Sequence, residues 1–330
     1  MRDADATIEG LGEAGLLDLI LPRLQGAGAL LGPGDDAAMI AAPDGRFVVS
    51  IDTLVEDQDF RLVWPCGYRT TGFDVGWKAA AQNLSDINAM GAVATSAVIS
   101  LTLPGQTPVG WVTDLADGFS AACRELGATR CAIAGGDLGR GEGISVTTAV
   151  TGDLEGRAPV LRSGAKPGDV LAVTAGLGRA ATGLALLESR DNWTSWSRAS
   201  AELVRAQLRP RPPLSLGPEA ARGEATAMMD LSDGLARDGG RLAHASGLAL
   251  KLDAAALVNI GTEISKIVRV GSCDPLELVC GGGEDFGLLA TFAPGALPGG
   301  FVQIGRAVDS KPGVTLDGRP LDRWAWDHFR

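Results

Sequence analysis

Histidine is almost missing from this chain: 330 residues contain only His244 and His328. A three-histidine zinc site is therefore impossible. A Ser-His-Asp triad would have to use one of those two, with no Gly-x-Ser-x-Gly elbow to present its serine. Cysteine is also scarce. Cys66, Cys123, Cys131, Cys273 and Cys280 are odd in number, widely spaced and without a C-x-x-C, so neither a disulfide framework nor a zinc ribbon is expected. Basic residues are outnumbered, with 29 Lys and Arg against 40 Asp and Glu and a net charge of −11. That balance argues against a nucleic-acid surface and against an anionic membrane surface. No run is long and apolar enough to cross a bilayer. The first ten residues are acidic and lack an apolar core, so no signal peptide is expected and a cytoplasmic protein is. The P-loop string and the protein-kinase signatures are absent too.

What is present is a chain long enough for two cores, with 45% apolar residues and 46 glycines, many of them gathered in short motifs. Helical spacing of Leu16, Leu17, Ile20, Leu21 and Leu24 predicts a helix over 11–30. Helices are also predicted over 73–90 and 111–126, each closed by a glycine, and strands over 47–52, 93–103, 132–134 and 144–150. Residues 151–170 turn polar and rich in Gly and Pro, which places a domain junction there, with domains 1–156 and 157–330. Beyond it, strands are predicted over 170–174 and 227–229, helices through 187 and over 235–245, and a polar loop over 189–200. Gly176-Leu177-Gly178 reads as a helix-opening turn rather than a dinucleotide fingerprint. Alternation of strands and helices in both halves predicts an α/β (α+β) class.

The informative pattern is positional. Asp52, Asp137, Asp230 and Glu284 each follow an apolar, strand-like run, mostly through glycine-bearing turns, and Asp35, Asp36, Asp86 and Asp233 add carboxylates in similar settings. Any one of them is explained as a turn residue or helix cap. If they converge, two charges about 4 Å apart repel by roughly 4 kcal/mol at an effective dielectric near 20. Hard oxygen donors of this kind recruit Mg²⁺ or Ca²⁺, and Mg²⁺ shares its shell with substrate phosphates. The chemistry suggested is metal-assisted phosphoryl transfer, carried by positioning and charge neutralisation.

Seven motifs then occur in order: 32–38 (Gly-Pro-Gly-Asp-Asp-Ala-Ala), 50–55 (Ser-Ile-Asp-Thr-Leu-Val), 83–92 around Asp86, Gly135-Gly136-Asp137, 162–169 (Arg-Ser-Gly-Ala-Lys-Pro-Gly-Asp), 230–234 (Asp-Leu-Ser-Asp-Gly) and 282–285 (Gly-Gly-Glu-Asp). Together they resemble the thiamine-monophosphate kinase family over nearly the whole chain. The resemblance implies the two-domain aminoimidazole ribonucleotide synthetase-like fold. Its N-terminal α/β domain would bind ATP and Mg and form a homodimer through its sheet; its C-terminal α/β domain would complete the ATP and substrate site. It implies direct in-line transfer of the ATP γ-phosphoryl group to thiamine monophosphate. By motif matching, Asp36, Ser50, Ile51, Asp52, Asp86, Asp137, Asp230 and Asp233 would bind several Mg²⁺ ions. Gly136, Asp137, Arg162 and Ser232 would touch ATP, and Asp59, Glu284 and Trp326 the substrate. The chain departs from the family pattern at Ile51 and Leu138, where threonine is usual, and at Asp59, where histidine is usual. Three rivals stay open: another ATP-dependent synthetase of the same superfamily, a phosphatase with an aspartyl nucleophile, and a non-catalytic nucleotide or thiamine-phosphate sensor.

Overall fold

The computed structural model describes residues 39–174, 176–267 and 274–321, together with Thr7, Gly10 and the stretches 15–16, 19–23 and 29–31. The chain divides into two compact units, Met1–Ile87 with Ala92–Gly156, and Asn88–Gly91 with Arg157–Arg330. Most of the helix predicted over 11–30 lies outside the described residues. Within it Leu21–Arg23 forms a 3-10 turn and Ala29–Leu31 the short strand β1, paired with β2 (Met39–Ile40).

The first unit is built on a four-stranded sheet. Its strands are β3 (Val48–Val55), β4 (Val93–Leu103), β5 (Ala132–Arg140) and β6 (Ser145–Asp153), in the order β3-β6-β4-β5. The two-residue period of a strand gives the sheet two different faces. Leu54, Val146, Val150, Ile99 and Leu101 are buried on one. On the other, Val49 and Ile51 are 63% and 64% exposed, and Val55 and Val98 are exposed as well. Helices α1 (Gly72–Ala89) and α2 (Val109–Glu125) pack backbone to backbone, so closely that a methyl group at Gly76 would lie 2.0 Å from the Leu115 carbonyl oxygen.

Three strands run well past their predicted ends, one of them β6, which continues to Asp153 rather than stopping at residue 150. Asp52 does not end β3, because pairing with β6 continues unbroken from Val48 opposite Gly152 to Val55 opposite Ser145. Likewise β5 passes straight through Gly135-Gly136-Asp137, since β4 pairs with it as far as Arg140 opposite Leu103.

The second unit carries a seven-stranded sheet: β7 (Val170–Thr174), β8 (Ala227–Asp230), β9 (Ala249–Leu252), β10 (Leu288–Phe292), β11 (Phe301–Val308), β12 (Gly313–Leu316) and β13 (Arg319–Pro320). The order is β13-β12-β9-β11-β7-β10-β8, antiparallel except where β12 meets β9. Its central strands read as unbroken apolar runs because both faces are buried. Leu171, Val173, Met229 and Leu289 pack on one side, and Ala172, Met228, Ala290 and Phe292 on the other. The helices are α3 (Arg179–Glu188), α4 (Arg198–Leu208), α5 (Leu216–Arg222), α6 (Leu235–Ser246), α7 (Ala254–Ile267) and α8 (Pro275–Gly281). The run before Gly282-Gly283-Glu284 is therefore helical, not strand-like. Asp274 caps α8 by accepting from the Leu276 amide, and Pro275 occupies its first position. Likewise, the loop predicted over 189–200 already contains the start of α4, opened by Ser197 accepting from the Ser200 amide.

Candidate active site

In the first unit the carboxylates are set by β3 and the α1 that packs beside it. The Ser50 hydroxyl donates to Asp86 Oδ2 at 2.5 Å, tying the strand to the helix. The Asp52 amide donates to Asn83 Oδ1 at 3.1 Å, and the Asn83 side-chain amide donates to the Ala79 carbonyl at 2.9 Å. Asn83 is fully buried, so it fixes the backbone at Asp52 while Asp52 and Asp86 stay partly exposed. The side chain of Ile51 points to the open face, leaving its backbone as the part nearest this group. Asp137 has other neighbours. It lies opposite Ser100, in the row continued by Thr147 and Thr53, whereas Asp52 shares a row with Thr148, Ile99 and Gly136. Adjacent rows present opposite faces, so Asp137 and Asp52 do not point the same way. Asp59 is engaged locally, its Oδ2 accepting from the Val55 amide at 2.8 Å and its carbonyl from Lys78 Nζ at 3.0 Å.

In the second unit two motifs far apart in sequence are stitched together. Asp230 ends β8 and is buried. The Leu231 amide donates to the Gly287 carbonyl at 2.9 Å, the Glu284 amide to the Ser232 carbonyl at 2.8 Å, and the Phe286 amide to the Leu231 carbonyl at 3.0 Å. This crossing needs glycine: a methyl group at Gly283 would sit 2.5 Å from the Ser232 oxygen. Glu284 and Phe286 adopt φ of 64° and 50°. Such backbone costs about 1–3 kcal/mol per residue and persists where its surroundings enforce it, often at functional loops. Asp285 then reaches α3: its two carboxylate oxygens accept from the amides of Gly178 at 2.6 Å and Ala180 at 2.9 Å. The Gly176-Leu177-Gly178 turn is thus a helix opening, capped from the Gly-Gly-Glu-Asp loop. Burial pushes the Asp285 carboxyl up to about 7, against the pull of those donors, although the residue as a whole is only half-buried.

Asp233 is engaged by arginine. Arg241 Nη1 lies 2.8 Å and Arg237 Nε 3.6 Å from its Oδ2. Arg241 is shared with the fully buried Asp238 at 2.8 Å, and Asp238 also accepts from the Asp233 amide at 2.8 Å. Burial raises the Asp238 carboxyl to about 6. A cation at Asp233 would compete with both guanidinium groups. Arg162 is exposed, in a loop held by Asp169, whose Oδ2 accepts from the Lys166 amide at 2.8 Å and the Thr226 hydroxyl at 2.6 Å. Asp36 and Trp326 lie outside the described residues. Asn83, Asp238, Asp285 and Gln207, which donates to Glu284, escape the sequence reading. Asn83 and Asp285 carry a local signal, as the first residue of the 83–92 motif and the last of the Gly-Gly-Glu-Asp motif.

Among the described residues, no three His, Cys, Asp or Glu side chains are placed to hold a metal ion. The donors that do lie together, Ser50 and Asp86 with Asp52 alongside on β3, are hard oxygens and suit magnesium.

Residues 34–154 match the AIR synthase related protein, N-terminal domain, and residues 166–316 the AIR synthase related protein, C-terminal domain. The chain is 44% identical over 325 residues to a thiamine-monophosphate kinase of Mycobacterium tuberculosis, covering 98% of this chain and 93% of that one. The crystal structure of thiamine-monophosphate kinase from Stenotrophomonas maltophilia superposes with a TM-score of 0.77 at 32% identity, over 92% of this chain and 96% of that one. AaThiL complexed with AMPPCP and TMP gives 0.76 at 30% identity, over 100% and 99%. With both domains in order and identity running the length of the chain, this protein belongs to the thiamine-monophosphate kinase family.

Proposed function

We propose that the protein is a magnesium-dependent kinase that transfers the ATP γ-phosphoryl group to the phosphate of thiamine monophosphate, giving thiamine diphosphate and ADP. The observation that carries this reading is the 44% identity to a thiamine-monophosphate kinase over 98% of the chain, spanning both domains. The acceptor is a phosphate oxygen already ionised at neutral pH, so no side chain has to remove a proton. Catalysis then rests on positioning and on charge neutralisation.

On the first unit, Ser50, the Ile51 backbone, Asp52 and Asp86, with Asp36, are proposed magnesium ligands, and Asp137, on the opposite face of the sheet from Asp52, is proposed to serve a separate magnesium ion. On the second unit the proposed ligands are Asp230 and Asp233. Magnesium, when bound, would neutralise phosphate charge and order the polyphosphate chain. The chain's own contribution is preorganisation, with Asn83 fixing the backbone at Asp52 and Ser50 orienting Asp86. Gly136, Asp137, Arg162 and Ser232 are proposed to touch ATP. Glu284 and Trp326 are proposed to touch the thiamine moiety, with Asp59 near it. The open sheet face bearing Val49, Ile51, Val55 and Val98 supports a homodimer formed through the first unit, because exposed apolar patches of this kind mark interfaces. No helix among the described residues is long and apolar enough to cross a membrane. A cytoplasmic site of action, where ATP is at hand, completes the reading.

The test is ADP release from ATP and Mg²⁺ with thiamine monophosphate, thiamine and aminoimidazole precursors compared side by side. Turnover only with thiamine monophosphate is expected. Robust turnover of thiamine, or none with the monophosphate, would sink the reading.

A further inference from the structure

Helix α4 turns one polar side chain into an apolar face. Its buried residues are Leu203, Val204, Gln207 and Leu208, and Gln207 is only 3% exposed. A primary amide brings two donor hydrogens and an acceptor oxygen, and burying either end without a partner costs free energy. One end is accounted for: Gln207 Nε2 donates to Glu284 Oε2. That contact fixes the orientation of the amide, since a carboxylate only accepts and only the NH₂ end can donate to it. The other end, Oε1, is buried and accepts from no donor among the described residues. Native structures hold few such groups, and each calls for an explanation.

Its location supplies one. The neighbour that orients Gln207 is Glu284, whose own position is enforced by a left-handed backbone and by the hydrogen bond its amide donates to the Ser232 carbonyl at 2.8 Å. Packing fixes the helix as well, since a methyl group at Gly183 of α3 would lie 2.2 Å from the Leu203 carbonyl of α4. The amide oxygen is thus an acceptor with spare hydrogen-bonding capacity, held beside a carboxylate on packed elements. An exocyclic amino group on a heteroaromatic ring supplies the N–H donor it lacks.

We propose that Gln207 is a specificity-determining residue of the substrate site, its Oε1 accepting a hydrogen bond from the amino group of the substrate's aminopyrimidine while its Nε2 holds Glu284. The inference rests on the proposed function, in which Glu284 faces the thiamine moiety. It excludes a purely structural Gln207, which would support Glu284 without reading the ring. A substrate analogue with a 4-oxo group in place of the 4-amino group would bring an acceptor to an acceptor and be disfavoured.

The experiment compares kcat/KM for thiamine monophosphate and for its 4-oxo analogue in the wild-type protein and in Gln207→Met, which keeps the length and removes the amide. We expect Gln207→Met to raise KM for thiamine monophosphate more than it lowers kcat, and to reduce the preference for the amino over the oxo compound about tenfold, the worth of one buried hydrogen bond. If the variant does not fold, Gln207→Asn, which withdraws the amide by one methylene, supplies the same comparison. A folded variant that loses activity on both compounds equally, with the preference intact, overturns the inference and leaves the proposed function standing. Wild-type protein that forms no ADP with thiamine monophosphate overturns both.

Discussion

Asp285→Asn sets two electrostatic effects against each other. The Asp285 carboxylate accepts from two amides at the start of α3, which favours its ionised form, while burial favours the neutral form and prevails, raising the carboxyl from 3.8 to about 7. The sign follows from proton counting. Between about pH 4 and 7 the folded protein holds a proton that the unfolded chain has lost, so the stability attributable to this group falls as pH rises through that window and is flat above it. The ceiling on the change is about 4 kcal/mol. Asparagine cannot ionise, and its NH₂ would face one of the two amide donors, a constant penalty of about 1–3 kcal/mol. Urea unfolding of both proteins at several pH values from 4.5 to 8, followed by a probe in the second unit, isolates the difference. Wild type should lead the variant most at the acid end, with the lead shrinking toward pH 8. A lead that grows with pH would mean that the two amide donors outweigh burial, and would refute the reasoning.

Other perturbations test other parts of the account. Asp86→Asn removes both a proposed magnesium ligand and the charge facing Ser50, and should lower kcat about 10²–10³-fold with the fold intact by circular dichroism. Near-normal rates would make Asp86 structural. Asp59→Ala removes the acceptor for the Val55 amide; we expect about 1 kcal/mol of lost stability and a larger change in KM for thiamine monophosphate than in kcat. A collapse of kcat at unchanged KM would place Asp59 among the metal ligands instead. Ile51→Asp puts a charge in the middle of the open sheet face and should yield monomers in sedimentation velocity, whereas an unchanged oligomer would locate the interface elsewhere.

How far the sequence reveals this molecule depends on the range of the forces involved. The α1 helix and the β4 strand are legible because long periodic runs closed by Gly91 and Pro104 leave little choice. The extension of β5 through Gly135-Gly136-Asp137 is not, since glycines read as a turn until the partner strand β4 is in place. Helix α8 hides behind an apolar stretch too short for a periodicity decision, although Asp274-Pro275 is a local start signal that can be read. The motif residues are identifiable in sequence, but their partners are not. Gln207 and Asp238 act across 77 and 5 positions with no spacing rule that would mark them, and Asn83, although it opens the 83–92 motif, acts on a strand 31 positions away that the motif does not point to. For the same reason Asp233 reads as a plain carboxylate until the arginines of α6 fold back on it.

The most direct test of the central claim follows the fate of the phosphate. The protein, ATP and Mg²⁺ are incubated with thiamine monophosphate, and the products are resolved by phosphorus NMR and by chromatography of the thiamine compounds. The account requires thiamine diphosphate and ADP in equal amounts, both abolished by EDTA and restored by Mg²⁺. ADP accompanied by inorganic phosphate, with thiamine monophosphate unchanged, would contradict it.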